Sequence, residues 1–256
     1  MATSPPTQTY CLITGVSPGG LGDALTTELL TRPNMHMIAT GLELNHLDHI
    51  ATSSSRVTKL QLDVTSPSSI SSAVEAVERL TSGRLDYLVN NAGYGYMMPL
   101  LDAQVDAVRD NFEVNVFGLL AVTQAFFPLI RAAQGWVVNQ CSIASLVGGR
   151  QPYIGSYCAT KAAVASLNDH MRLEFAPFGV KVVGYRLANA WSWGMLRADN
   201  VRAGRQSGRR RRRYRVLESR AGGEDGSSGL FAVRPDRCSC RADDEGRDKP
   251  TWSTFS

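Results

Sequence analysis

Cysteine is sparse in this 256-residue chain and badly placed for cross-linking. Cys11, Cys141, Cys158, Cys238 and Cys240 are odd in number and scattered, which excludes a disulfide framework as the organising device. Cys238-Ser-Cys240 has no second pair at zinc-binding spacing, so no metal site is expected. The opening MATSPPTQTY lacks a charged region followed by an apolar stretch, and no secretory leader is expected. An uninterrupted membrane-length apolar run is also missing. The most apolar stretch, residues 114–130, is broken by Asn115, Thr123, Gln124 and Pro128 and reads as a buried helix, not a transmembrane segment. A reducing, cytoplasmic setting follows as the default expectation.

Charge is unevenly spread. Residues 1–190 carry 9 Arg and 3 Lys against 14 acids, whereas residues 191–256 carry 14 Arg and 1 Lys against 9 acids. The net +4 is therefore a property of the tail, not of the part able to bury a core. The arginine run at 209–213 could contact phosphates, but with Gly222-Gly223, Gly226-Ser-Ser-Gly229 and little apolar periodicity it reads as a solvated, disordered tail. A nucleic-acid partner is accordingly not expected. Residues 1–190 form one domain in this reading and 191–256 an Arg/Gly-rich irregular tail.

What is present is an alternation. Residues 9–15 form a short apolar run ending in glycine, and residues 21–31 follow with helical periodicity. Between them lies Thr14-Gly-Val-Ser-Pro-Gly-Gly-Leu-Gly22, a turn whose glycines admit a phosphate to the backbone at a helix N-terminus. Strands are predicted at 35–40, 57–62, 85–90, 136–142 and 180–185. Helices are predicted from 43, over 66–80, over 105–130 in one or two pieces, and over 156–175. Pro67 sits near the first turn of its helix, where proline is tolerated. This order predicts an α/β fold, a Rossmann-like doubly wound parallel sheet of order 3-2-1-4-5-6 with the seventh strand missing.

The stretch Tyr157-Cys-Ala-Thr-Lys161 places a phenol and an ammonium one helical turn apart on one face. A free tyrosine, with a pKa of about 10, is a poor acid or base at neutral pH, and lowering it by three units takes about 4 kcal/mol. A cation about 4 Å away at an effective dielectric of about 20 supplies that much. The helix can therefore hold Tyr157 ready as a general acid/base. Eight Tyr and four Lys in 256 residues give this spacing by chance about 0.13 times, so it needs company.

The company is Asp63-Val64, Asn90-Asn91-Ala92-Gly93, Asn115 between valines, and Ser142 directly after the fifth strand. With the glycine turn and Tyr157/Lys161, these six landmarks in order resemble the classical short-chain dehydrogenase/reductase family from residue 9 to residue 186. Gly19-Gly20-Leu-Gly22, Leu85-Asp-Tyr-Leu-Val-Asn-Asn-Ala-Gly93, Pro99-Leu-Leu-Asp102, Gln124-Ala-Phe-Phe-Pro128 and Leu173-Glu-Phe-Ala-Pro-Phe-Gly-Val180 look like its fungal branch of NADPH-dependent 1-acyldihydroxyacetone-phosphate reductases. Fungal reductases of secondary metabolism share these phrases.

The resemblance implies an oxidoreductase interconverting a ketone and a secondary alcohol on a lipid-like or secondary-metabolite substrate. Tyr157 would exchange the proton, Lys161 would lower its pKa and bond the nicotinamide ribose, Ser142 would hold the reacting oxygen, and Asn115 would hold a relay water. Gly15, Ser17, Gly20, Leu21 and Gly22 would bind the cofactor phosphates, Asp63 and Val64 the adenine, and Asn90 and Ala92 the adenosine side. Each has a plainer alternative: a strand-end hydroxyl for Ser142, with Ser145 nearby, backbone satisfaction for Asn115, a turn former for Asn90, and a cap before the helix for Asp63. Leu146, Val147, Tyr94, Tyr96 and Met97 would suit a hydrophobic ketone. A homo-oligomer, and association with the endoplasmic reticulum or lipid droplets, are implied by resemblance alone.

Two departures stand out. After the second strand the branch places an Arg for the NADPH 2′-phosphate, but the chain reads Ala39-Thr40-Gly41-Leu42. It also lacks an acid at Thr40, the mark of NAD-preferring members, so NADP(H) is expected by resemblance and NAD(H) stays open. After the sixth strand, Tyr185-Arg-Leu-Ala-Asn-Ala-Trp-Ser-Trp193 lacks the Pro-Gly or Thr-Gly turn and the Thr that hold the nicotinamide carboxamide. The composition break there looks like translation in another frame or through a retained intron. The alternative function is accordingly a degenerate, catalytically weak member.

Overall fold

Thr9–Ile13 (β1) lies at the middle of the sheet and carries the glycine turn at its carboxyl end. The computed structural model describes residues 8–50, 55–146, 152–187, 214–217 and 232–235. In chain order, α1 is Leu21–Leu29, β2 Met35–Gly41, β3 Val57–Gln61, α2 Pro67–Thr81 and β4 Tyr87–Asn90. Then come α3 at Val105–Phe112, α4 at Leu119–Ala133, β5 at Trp136–Ser142, α5 at Gly155–Phe175 and β6 at Lys181–Leu187. All six strands pair in parallel in the order β3-β2-β1-β4-β5-β6, as the alternation predicts.

Burial on both faces explains the near-continuous apolar strands. Leu12, Leu88 and Val137 pack with Ile70 and Val77 of α2, Val122 and Phe126 of α4, and Val164 and Met171 of α5. On the opposite face Cys11, Ile13, Met37, Val89 and Tyr185 pack with Leu21 of α1 and Leu47. The helix expected from residue 43 is only a 3₁₀ turn, Leu44–Leu47. Ser66 caps α2 by accepting from the Ser69 N–H at 3.3 Å, and Pro67 takes the first helical position.

The long helical region is continuous but not uniform. α3 and α4 are joined by a π-helical segment, Glu113–Gly118, which carries Asn115. Residues 105–133 are long and apolar enough to cross a membrane by composition, but Leu119, Val122, Phe126, Leu129 and Ile130 are spent on the core. Beyond residue 187 the described segments Tyr214–Leu217 (β7) and Ala232–Pro235 (β8) pair as antiparallel strands. They form a two-stranded sheet separate from the parallel one. The domain boundary at 190, the arginine run, Val147 and Cys238/Cys240 lie outside the described residues.

Candidate active site

The glycine turn is locked to the end of β4. Gly15 has φ +68°, and a side chain there would put its Cβ 2.6 Å from the Ala92 Cα. Gly22 is equally constrained, because a Cβ would lie 2.8 Å from the Asn91 Nδ2. Thr14 Oγ1 accepts from the Asn91 and Ala92 N–H groups at 3.0 and 2.9 Å, while Asn91 Nδ2 donates to the Thr14 and Gly15 carbonyls at 2.9 and 3.1 Å. The Gly20 N–H closes the turn on the Ser17 carbonyl at 2.9 Å, Gly20 leads into α1, and a Cβ on Gly19 would meet open space. Leu21 is buried in the α1 core.

Asn90, singled out by sequence, faces inward: its Nδ2 donates to Thr123 Oγ1 at 2.8 Å and to Asn139 Oδ1 at 2.9 Å, its register partner on β5. The residue that meets the turn is its neighbour Asn91. Asp63 Oδ1 accepts from the Thr65 N–H and hydroxyl at 2.9 and 2.7 Å, shaping the turn before α2, and Val64 packs under Gly118. Asn115 Nδ2 donates to the Tyr94 carbonyl at 2.9 Å and to Thr160 Oγ1 at 3.0 Å, and its Oδ1 accepts from the Tyr94 N–H at 2.9 Å. Both its donors are thus used, and one carbonyl lone pair is left for another partner. Tyr94 and Tyr96 are buried, so of the apolar residues proposed to meet substrate, Leu146 is exposed and Met97 half-buried.

β5 and α5 bring Ser142, Tyr157 and Lys161 together, all buried. The side chains of Ser142 and Gln140 both act on the Tyr157 phenol, pulling its pKa down. The Ser145 hydroxyl donates back to the Ser142 carbonyl at 2.6 Å. Ser142 Oγ also accepts from the Ala144 N–H at 3.1 Å, fixing its rotamer. Lys161 Nζ donates to the Gln140 carbonyl at 2.8 Å and to Gln140 Oε1 at 2.5 Å.

One expectation needs correction. Lys161 was to pull the Tyr157 pKa down, yet the phenol is pushed up to about 12 by burial, against the smaller downward pull of Ser142 and Gln140. The reason is that the ammonium is desolvated too. Burial lowers Lys161 to about 8, its hydrogen bonds go to Gln140, and Nζ lies 5.8 Å from the Tyr157 ring centroid. Thr14, Asn91, Gln140 and Thr160 are the site residues that sequence reasoning missed. Thr14 and Asn91 stood inside motifs that the sequence made visible, and Gln140 stood beside Asn139 in a mostly apolar strand, whereas Thr160 carried no signal of its own.

This architecture agrees with comparisons to known proteins. The family model for short chain dehydrogenases matches residues 9–189, so the chain belongs to the short-chain dehydrogenase family. Short-chain dehydrogenase PC-15 of Penicillium crustosum is 44% identical over 172 residues, covering 67% of this chain and 62% of that protein. The NADPH-dependent 1-acyldihydroxyacetone phosphate reductase of Schizosaccharomyces pombe is 33% identical over 175 residues, 68% of this chain and 57% of its own length. The crystal structure of a short chain dehydrogenase from Burkholderia cenocepacia in complex with NADP superposes with a TM-score of 0.64 at 28% identity, over 73% of this chain and 75% of that one. This chain therefore spans about three fifths of the length of the curated relatives it matches.

Proposed function

We propose that this protein is an NADP(H)-dependent oxidoreductase that interconverts a ketone and a secondary alcohol on an apolar, lipid-like or natural-product substrate. The observation that carries the reading is the meeting of Ser142, Tyr157 and Lys161 at the β5–α5 end of a sheet whose β1 end holds an open glycine turn. The residues fit a dinucleotide. Gly15 and Gly22 allow the turn to lie flat on the Asn91-Ala92 segment, Gly19 leaves its outer side clear, and the α1 N-terminus favours negative charge. Gly15, Ser17, Gly20, Leu21 and Gly22 would hold the phosphates, with Asp63, Val64 and Ala92 toward the adenosine, while Asn90 anchors the end of β4 to Thr123 and Asn139. NADP(H) is favoured by the names of the S. pombe relative and the B. cenocepacia structure.

When bound, the nicotinamide supplies or accepts the hydride. The chain's own residues handle the proton. Ser142 and Tyr157 would donate hydrogen bonds to a ketone oxygen, and Tyr157 Oη would give up its proton as that oxygen becomes an alcohol. Lys161 would donate to the ribose and stabilise the phenolate left behind, and Asn115 would use its free lone pair to hold a water.

A second reading, a family member that binds cofactor without turnover, is favoured by the match to the curated relatives covering only about three fifths of their length. NADPH oxidation by the full chain, measured with a panel of apolar ketones, separates the two. The proposed enzyme oxidises NADPH only with a ketone present and loses this in Tyr157→Phe. Saturable NADPH binding with no ketone-dependent oxidation would favour the second reading instead.

A further inference from the structure

We propose that His46 recognises the adenosine 2′-phosphate of NADP(H) in this chain, its imidazolium standing beside the carboxyl end of β2, so that the preference for NADPH over NADH varies with pH. This rests on the reading of the glycine turn as a dinucleotide cradle. In sheets of this order the group that reads the adenosine 2′ position lies just beyond the second strand, an acid for a free hydroxyl and a cation for a phosphate. Ala39-Thr40-Gly41-Leu42 offers neither, so a phosphate there needs its cation from a neighbouring element.

The fold brings one to that place. The Val16 N–H donates to the Thr40 carbonyl at 2.7 Å and ties the glycine turn to the end of β2. A side chain at Gly41 would put its Cβ 3.3 Å from the Val16 carbonyl oxygen and 3.5 Å from the His46 Cβ. Glycine at 41 therefore lets three segments meet: the phosphate turn, the strand end and the 3₁₀ turn Leu44–Leu47 that carries His46. Leu47 is buried in the core beside Met37 and Ala39 of β2, which holds the 3₁₀ turn down, while His46 next to it is half-buried and within reach of solvent.

The charges around His46 are mostly committed elsewhere. Glu43 Oε2 accepts from Asn45 Nδ2 at 3.1 Å, and Asp63 Oδ1 accepts from Thr65 at 2.9 and 2.7 Å. His49 faces Asp23 at 3.0 Å, whose other oxygen accepts the Gly19 N–H at 2.9 Å. Asp48 is exposed. Among the described residues no hydrogen bond or ion pair occupies the His46 ring. The rival cation is Lys59, which pairs in register with Ala39, two positions short of Gly41. The two are separable by chemistry. Imidazole gains and loses its charge between about pH 5 and 8, whereas lysine and arginine stay charged beyond it. A phosphomonoester, with a second pKa of about 6, is mostly dianionic across the upper part of that range.

Equilibrium titration of the full chain with NADPH and with NADH, from pH 6.5 to 8.5, tests the assignment. The ratio of the two affinities cancels everything common to both nucleotides, and it should fall by about fivefold as pH rises. His46→Gln keeps a donor of similar size without the charge, and its ratio should be low and flat. His46→Arg should hold the ratio high and flat to pH 8.5, and Lys59→Met should keep the parent's slope. A flat ratio in the parent, a slope that survives His46→Gln, or a slope lost in Lys59→Met overturns the assignment. The cradle is judged separately. Saturable binding of both nucleotides with a flat ratio rejects His46 alone, whereas binding of neither rejects both.

Discussion

In the glycine-turn half of the site, backbone groups do the holding. Thr14 and Asn91 stitch main chain to main chain between β1 and β4, and the glycines serve by having no side chain. In the β5–α5 half, buried side chains act on one another: Lys161 donates to Gln140, its ammonium lies over the Tyr157 ring, and Ser142 and Gln140 pull the Tyr157 pKa down. The first half contains little that titrates. In the second, burial moves the tyrosine up to about 12 and the lysine down to about 8. A shape that accepts phosphates needs rigidity, whereas a proton-transfer pair needs groups whose charge is expensive to keep. The two halves should therefore fail in different ways when mutated.

The largest effect is expected from Tyr157→Phe, which removes the proposed acid/base oxygen but little packing. Turnover should fall by about 10²–10⁴-fold while NADPH affinity stays near the parent value. Parallel loss of both would erase the distinction between the halves. Next comes Gly15→Ala, which combines left-handed backbone with a Cβ 2.6 Å from the Ala92 Cα. Denaturant unfolding should show a loss of about 3 kcal/mol, with cofactor binding weakened even where the chain remains folded. An unchanged midpoint would mean that the turn tolerates a side chain and is not locked as described. Asn91→Leu, which leaves the Thr14 and Gly15 carbonyls without their side-chain donor, should cost about 1–3 kcal/mol.

The smallest effect is a pH slope. The Lys161 pKa is about 8 in the folded protein and 10.5 in an unperturbed lysine, so the unfolded chain binds this proton more tightly. Stability should therefore rise with pH above about 8. Cys11 and Tyr157, both raised to about 12, act in the opposite sense once pH passes their ordinary values of 9.0 and 10.0. Between pH 8 and 9 the lysine alone would add about 1 kcal/mol, and the raised Cys11, Cys141 and Cys158 thiols offset part of it, leaving a net rise of roughly a few tenths of a kcal/mol. That gain should vanish in Lys161→Met. Its persistence would mean that another group carries the slope.

The same contrast explains what the sequence made readable. Strand and helix order followed from apolar periodicity, and the glycine turn and the Tyr157–Lys161 spacing stood out because each is local. Trp136–Ser142 was legible to the residue, whereas the helix expected from residue 43 shrank to a 3₁₀ turn. Contacts between distant segments left no such mark. Asn91 reaches Thr14 across 77 positions, and the adjacent Asn90, equally conspicuous, turns instead to Thr123 and Asn139. Asn115 was readable as a residue but not its π-helical setting or its grip on Tyr94. The protonation of the pair was least legible, because desolvation is set by everything packed around β5 and α5.

The central claim is that the glycine turn remains a working dinucleotide cradle in a chain whose family match ends at residue 189. Titration of the full chain with NADPH and with NADH tests it most directly, alongside Gly19→Asp, which sets a carboxylate on the open side of the turn at a left-handed backbone position (φ +69°) that aspartate adopts more readily than most residues. The account predicts saturable binding, tighter for NADPH, retained in Tyr157→Phe and weakened at least tenfold in Gly19→Asp, about 1.4 kcal/mol. Binding of neither nucleotide, or binding indifferent to Gly19→Asp, would contradict it.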